Sequence, residues 1–280
     1  MLSRDRLKNI KNILELNNDK ALGIDKLYDI LTAIKNNDDS TFLKTIFKLK
    51  YNKDPDLSLL DNVFTAIKHN PELEEDILDS FSDNQFIAKT KLINNLEKLN
   101  LLNKDTEVVI FGSWYGSILI PLLYDKVKKI TAIDVDDTAI TIGQNKLFEK
   151  YNKVDWITAD IFEEYRDMFD TADIFINTSC EHMRPMNLWG PIGPRSIWKD
   201  HPFVPDWLEH KCYKIPWWDR VKATAHFAFT SNNMFNIPGH INCVKSIEEF
   251  KGQLPDKSKV LIEDEIKDER GTRYLLIGKL

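Results

Sequence analysis

Cysteine is sparse and scattered. Cys180, Cys212 and Cys243 are the only three in 280 residues. There is no CxxC and no Cys/His spacing of zinc type, so neither a disulfide scaffold nor a metal site is expected. Reduced thiols in a cytosolic protein are the ordinary reading of such usage. No apolar run reaches membrane-spanning length. The charged start Met1-Leu2-Ser3-Arg4-Asp5-Arg6 leads into no apolar core of the signal-peptide kind. An excess of positive charge is lacking as well. Lys and Arg number 38 against 44 Asp and Glu, a net charge of −6, which disfavours bulk nucleic acid as the main partner without excluding a local basic patch. No internal repeat interrupts the chain, and a cytoplasmic protein acting on a small molecule is the expectation.

What is present divides the chain in two. Residues 1–81 read as a small helical cap domain. Leu7, Ile10, Ile13 and Leu14 recur at helical spacing, as do Leu27, Ile30, Leu31 and Ile34, and then Leu59, Leu60, Val63, Phe64 and Ile67. Asn/Asp and Asp-Pro clusters punctuate these runs, and Asn70-Pro71 ends the last one. A further helix, from Ser82 to Leu102, carries Ile87, Leu92, Ile93, Leu96 and Leu99 as its apolar stripe. The remainder, 82–280, alternates strand and helix. Strands are predicted at Glu107–Phe111, Lys129–Asp134, Val154–Ala159, Ala172–Asn177 and Ala223–Thr230, with helices at Gly116–Tyr124, Thr138–Tyr151 and Phe162–Met168. Such alternation gives a parallel sheet covered by helices. Val260–Glu265 and Tyr274–Lys279 flank Asp268-Glu269-Arg270-Gly271, which predicts a closing antiparallel hairpin. Between the fourth and fifth strands, residues 183–221 hold six prolines and five of the chain's seven tryptophans. A connection this long inside a compact domain usually has a task, and so aromatic a one suggests an ordered lid over a pocket.

The densest information lies between Val108 and Asp136. A buried strand runs into Gly112-Ser113-Trp114-Tyr115-Gly116, a helix follows, and the next strand ends on Asp134-Val135-Asp136. This is the βαβ layout that holds a nucleoside: glycine lets the backbone approach the ligand, and an acid at the second strand's tip accepts hydrogen bonds from the ribose hydroxyls. The G-x-G-x-x-G that NAD binding calls for is absent.

The α/β run with its terminal hairpin resembles the class I S-adenosylmethionine-dependent methyltransferases over about residues 82–280. The resemblance implies a seven-stranded, mostly parallel Rossmann-like sheet and S-adenosyl-L-methionine as cofactor. It makes Gly112, Ser113, Trp114, Tyr115 and Gly116 the glycine-rich turn. Asp134, with Val135 beside it, becomes the ribose-binding station. Asp160 and Ile161 become the adenine-binding station. The family commonly shows a more glycine-rich turn, and bulky Trp114 and Tyr115 depart from that pattern. Asn177-Thr178-Ser179-Cys180-Glu181-His182-Met183 falls at the end of the fourth strand, where the family places its reaction-side motif. Together with Ser231-Asn232-Asn233 and His240-Ile241-Asn242-Cys243, it is similar to a poorly characterised subgroup seen in bacteriophages and marine bacteria. Gln85 and Lys89 on the leading helix lie beside the cofactor mouth in that resemblance, where either would hold the cofactor's carboxylate; a solvated helix face is the plainer reading of both.

Methyl transfer is a displacement at a sulfonium carbon. The leaving group already carries the charge, so alignment and exclusion of water are the main demands, with a base where a nitrogen or oxygen acceptor must lose a proton. Asn177, Glu181 and His182 are the candidate catalytic residues, with Asn177 also beside the cofactor. Asn177 equally suits the plainer task of tying down its loop. His182 is the candidate base, histidine being the side chain suited to that work near neutral pH, with capping a helix or bonding backbone as its plainer task. Asn232, Asn233 and His240 are second candidates. His226 reads as a core histidine and Cys180 as a buried thiol, while His201 and His210 lie in the aromatic insertion. Two rival readings stay open. One keeps the cofactor but attacks another carbon, giving aminocarboxypropyl transfer or a lyase-type cleavage. The other is a binding protein without turnover.

Overall fold

A computed structural model describes residues 57–161, 168–185 and 221–280. The chain divides into two compact units, Met1–Glu72 and Leu73–Leu280. In the first, helix α1 spans Leu57–His69. It ends as the sequence predicts: the Asn70 amide N–H and side chain both reach back to the Ala66 carbonyl, and Pro71 cannot continue the helical hydrogen bonding. The other N-terminal helices, the predicted helix at Phe162–Met168 apart from its last residue, most of the Trp/Pro insertion, His201 and His210 lie outside the described residues.

The second unit is built on a seven-stranded sheet of order β3-β2-β1-β4-β5-β7-β6. Its strands are β1 Glu107–Phe111, β2 Lys129–Asp134, β3 Val154–Thr158, β4 Ile174–Asn177, β5 His226–Asn232, β6 Lys259–Asp268 and β7 Gly271–Lys279. β1 to β5 pair in parallel, whereas β7 runs antiparallel to both β5 and β6. Burial follows position. Every residue of β4 is buried, as are the last four of β1, because central parallel strands are covered on both faces. Edge strand β6 alternates half-buried and exposed residues along its whole length, the mark of a strand with one wet face. Val109, Phe111, Phe175, Phe227, Phe229 and Leu276 form the heart of the core on one side of the sheet, with Phe111 stacked on Phe175 at 5.8 Å between ring centroids.

Three local features differ from expectation. Helix α3, Asp83–Lys98, after the short α2, Glu74–Asp79, buries Ala88, Leu92, Ile93 and Leu96 but leaves Ile87 51% exposed. The buried face is turned so that Lys89 and Asn95 lie in it. The helix at the β1 crossover is a single turn, α4 Leu119–Leu123. After β2, helix α5, Asp137–Ile142, is capped by the Asp136 carboxylate accepting from the Thr138 and Ala139 N–H groups. It then widens into a π turn at Gly143–Leu147 instead of continuing to Tyr151. The Trp156 ring occupies the space beside Gly143, where an added Cβ would lie 2.6 Å from it. The short helix α6 covers Met168–Thr171, and α7, Ile247–Lys251, is capped by Ser246.

Candidate functional site

The chain runs from β1 out to β3 on one side and from β4 onward on the other. The crevice between the β1 and β4 carboxyl ends is therefore the topological switch point at which open α/β sheets bind ligands. Gly112 follows β1 and Ser179 follows β4, and the Ser179 hydroxyl donates to the Gly112 carbonyl at 3.4 Å. The residues picked out from sequence fall into two groups on either side of this contact.

On the β1–β2 side the turn is made by backbone. Gly112 and Gly116 take left-handed φ values of +60° and +69°, and Trp114 takes +51°, unusual for a bulky residue. The strain at Trp114 is held by its surroundings. Its N–H donates to Oδ2 of Asp134 at 2.7 Å, and its indole N–H donates to Oδ2 of Asp76 at 3.3 Å. The Tyr115 hydroxyl donates to the same Asp76 oxygen at 2.7 Å. Both aromatics thus leave the turn toward α2, and Tyr115 is fully buried. Asp76 lies in the part read from sequence as a cap, with no motif to mark it. Ser113 is buried, its N–H on the Ile133 carbonyl.

Oδ1 of Asp134 accepts from the Asp136 N–H at 3.0 Å, and the Val135 N–H also bears on the carboxylate. An ionised carboxylate offers about four acceptor positions, so acceptor capacity remains for a sugar hydroxyl. Burial raises the Asp134 pKa above the usual carboxylate value, against the opposing bonds from Asp136 and Trp114. Val135, next to it, is 67% exposed. Asp160 and Ile161 follow β3 at the same edge, with Ile161 packed against the core. Gln85 is half-buried in the first turn of α3.

On the β4–β5–β7 side the groups are side chains, mostly buried. Asn177 is fully buried and both ends of its amide are engaged: Oδ1 accepts from the Ser179 N–H at 2.8 Å and Nδ2 donates to the Met183 sulfur at 3.1 Å. Its amide ties down the loop. Met183 in turn covers Gly112, whose Cβ, if present, would sit 2.7 Å from the methionine methyl. Glu181 is 3% exposed. Its Oε1 accepts from Asn232 Nδ2 at 2.7 Å and faces the Arg273 guanidinium at 3.8 Å. Its Oε2 and the Arg273 Nε are buried without a hydrogen-bond partner among the described residues. Burial pushes the Glu181 carboxyl upward, opposed among others by Arg273 and His182. Lys89 is buried beside this cluster, its pKa lowered to about 8, first by desolvation and then by Arg273, with Glu181 acting the other way.

His182 is exposed and its Nδ1 lies 3.0 Å from the Gly239 carbonyl. It meets His240 edge-on, ring centroids 4.6 Å apart. Burial and the neighbouring His182 and Arg273 lower the His240 pKa to about 4. Asn232 also accepts, through Oδ1, from the Met234 N–H and the Cys243 thiol. Asn233 instead pins the start of β7, accepting from the Thr272 N–H at 2.8 Å. Cys180 is buried, its thiol pushed well up by desolvation.

Arg273 was not among the residues singled out by sequence. Nothing in the chain near Gly271-Thr272-Arg273 marks it. It reaches the site because β7 pairs antiparallel with β5 in the register that sets Arg273 opposite Asn232.

No protein-family model matches the chain, and no curated protein matches it either. Solved structures do. The N-methyltransferase NodS from Bradyrhizobium japonicum WM9, in complex with S-adenosyl-L-homocysteine, aligns over 71% of this chain and 88% of its own, at 13% identity and a TM-score of 0.50. The CMeT domain of the citrinin polyketide synthase aligns over 73% of this chain and 56% of its own, at 12% identity and a TM-score of 0.51. At this identity the likeness is one of fold: the mixed seven-stranded sheet is that of methyltransferases.

Proposed function

We propose that this chain is an S-adenosyl-L-methionine-dependent methyltransferase acting on a nitrogen or oxygen of a small acceptor. The observation that carries the reading is Asp134. It stands at the tip of β2, held by the Trp114, Val135 and Asp136 amides with acceptor capacity remaining, beside a turn whose two glycines adopt left-handed φ. That is the arrangement a nucleoside's ribose calls for, on a sheet shared with proteins whose bound product is S-adenosyl-L-homocysteine. The residues present fit such a group through the Asp134 carboxylate and the backbone turn beside it, while the glycines at 112 and 116 are required by packing, since a Cβ there would intrude on Met183 or Ile120. When bound, the cofactor supplies an electrophilic methyl group on a sulfonium.

The chain's own residues do the rest. Asp134 and Val135 receive the ribose edge, while Asp160 and Ile161 border the base. Gly112, Ser113, Trp114, Tyr115 and Gly116 shape the turn, and Gln85, in the first turn of α3, is the candidate for the cofactor's carboxylate. Asn177 positions Ser179 and Met183, which close the β1–β4 crevice. Glu181 and His182 stand on the acceptor side, Glu181 as the buried carboxylate and His182 as the group open to solvent. Arg273 opposes the upward push that burial gives the Glu181 carboxyl, and Lys89 is buried beside the pair.

Isothermal titration with S-adenosyl-L-methionine, followed by mass spectrometry of the nucleoside products, tests this. Asp134→Ala is expected to weaken binding by at least about a hundredfold, the equivalent of two hydrogen bonds to a charged group. Unchanged affinity in that variant would remove the cofactor assignment. S-adenosylhomocysteine as product supports methyl transfer, whereas methylthioadenosine would replace it with cleavage at another carbon.

A further inference from the structure

We infer that Glu181, His182 and His240 form a binding site for one imidazole-preferring divalent transition-metal ion, of the Zn²⁺ or Co²⁺ kind, on the acceptor side of the crevice. One donor atom from each of the three residues lies within 4.8 Å of the other two. About 3.3 Å separates ligands that sit 2.0–2.1 Å from a tetrahedral ion, so the three donors need to draw together by no more than about 1.5 Å to close the set. Two further observations point to a ligand. Oε2 of Glu181 is buried without a hydrogen-bond partner among the described residues, although leaving a carboxylate oxygen so is costly. Its sister Oε1 already serves Asn232 and Arg273, so Oε2 is the oxygen left for an ion.

Each histidine is also held from behind. The Gly239 carbonyl can only accept, so Nδ1 of His182 is the donor, which in the neutral ring leaves Nε2 as the ligating nitrogen. Nδ1 of His240 lies 3.6 Å from the Cys243 sulfur, whose own S–H reaches Asn232 Oδ1. Ligating histidines characteristically have the other ring nitrogen anchored in this way. The Gly239 carbonyl is presented by a glycine at φ +83°, a backbone conformation that favours this residue.

The donor set selects the ion. Magnesium and calcium take oxygen-rich shells, and one carboxylate with two imidazoles beside a guanidinium does not offer that. Zinc and cobalt accept this mixture and keep an open position. On the proposed function, an open position on the ion would favour acceptors with an oxygen or nitrogen able to ligate. Metal binding itself does not depend on the methyltransferase reading.

The test uses the full chain, stripped with EDTA, dialysed and titrated with Co²⁺ while visible absorption is read, with Zn²⁺ competition to give the affinity. One equivalent of Co²⁺ is expected to develop d–d bands that Zn²⁺ abolishes. His182→Ala, at an exposed position, and His240→Asn are each expected to weaken binding by at least about tenfold, with circular dichroism unchanged. Glu181→Gln, which keeps the side chain's shape, is the third arm. Failure of the wild-type chain to bind one equivalent overturns the proposal. So does equal binding by wild type and the histidine variants, which would mean adventitious surface binding. Titration of the same preparation with S-adenosyl-L-methionine reads the cofactor proposal separately.

Discussion

The two halves of the crevice are built on different principles. The β1–β2 half is local. Gly112, Trp114 and Gly116 set the turn through their φ angles, and Asp134 is held by the amide of its near neighbour Asp136 and by that of Trp114, one crossover away. The β4–β5–β7 half is assembled from four distant elements: Lys89 from α3, Glu181 after β4, Asn232 from β5 and Arg273 from β7. Backbone geometry holds the first half and buried charge holds the second. A half made of backbone tolerates change in side chains but not in φ. A half made of buried charge tolerates changes of shape but not of charge balance.

Breaking the charge balance is expected to have the largest effect. Glu181→Ala leaves Arg273 and Lys89 buried without their carboxylate and should destabilise the fold by about 3 kcal/mol, measured by urea unfolding. A loss below about 1 kcal/mol would mean the cluster is solvated, and the contrast between the halves would dissolve. Next comes Gly112→Ala. The added methyl displaces the flexible end of Met183, and the left-handed φ adds about 1–2 kcal/mol, so thermal unfolding should fall while Asn232 and Glu181 stay in place.

Tyr115→Phe removes one of the two bonds to Asp76. About 1 kcal/mol of stability should be lost, with a weaker hold on the strained Trp114 visible as faster amide exchange there. The smallest effect concerns His226, outside both halves. Burial first, then Lys279, lower its pKa below the ordinary 6.5. The unfolded chain therefore binds this proton before the folded chain does, and stability should fall as pH drops below about 6.5. Tm measured between pH 7 and pH 5 should fall less steeply in His226→Gln, with His240 keeping the rest of the slope, and an unaltered slope would assign the acid sensitivity elsewhere.

Sequence carried the first half further than the second for the same reason. A strand, a glycine turn and an acid about twenty positions later are fixed by short-range sterics, so Gly112 and Asp134 were legible as one unit. The hairpin at Asp268–Gly271 was legible too, because turn chemistry is local. Ile87 and the end of α5 were misjudged, because tertiary neighbours override periodicity: α3 turns Lys89 inward, and Trp156 crowds Gly143.

Periodicity, turn chemistry and the βαβ spacing were thus enough to determine the alternation of strand and helix and its antiparallel close. Only the tertiary structure decided that Arg273 faces Glu181, that Asn177 spends its amide on its own loop, and that His182 and His240 share an edge. Those pairings depend on the antiparallel register of β7 on β5 and on loops closing over the sheet's end. Residues brought together that way carry no spacing along the chain that could announce them.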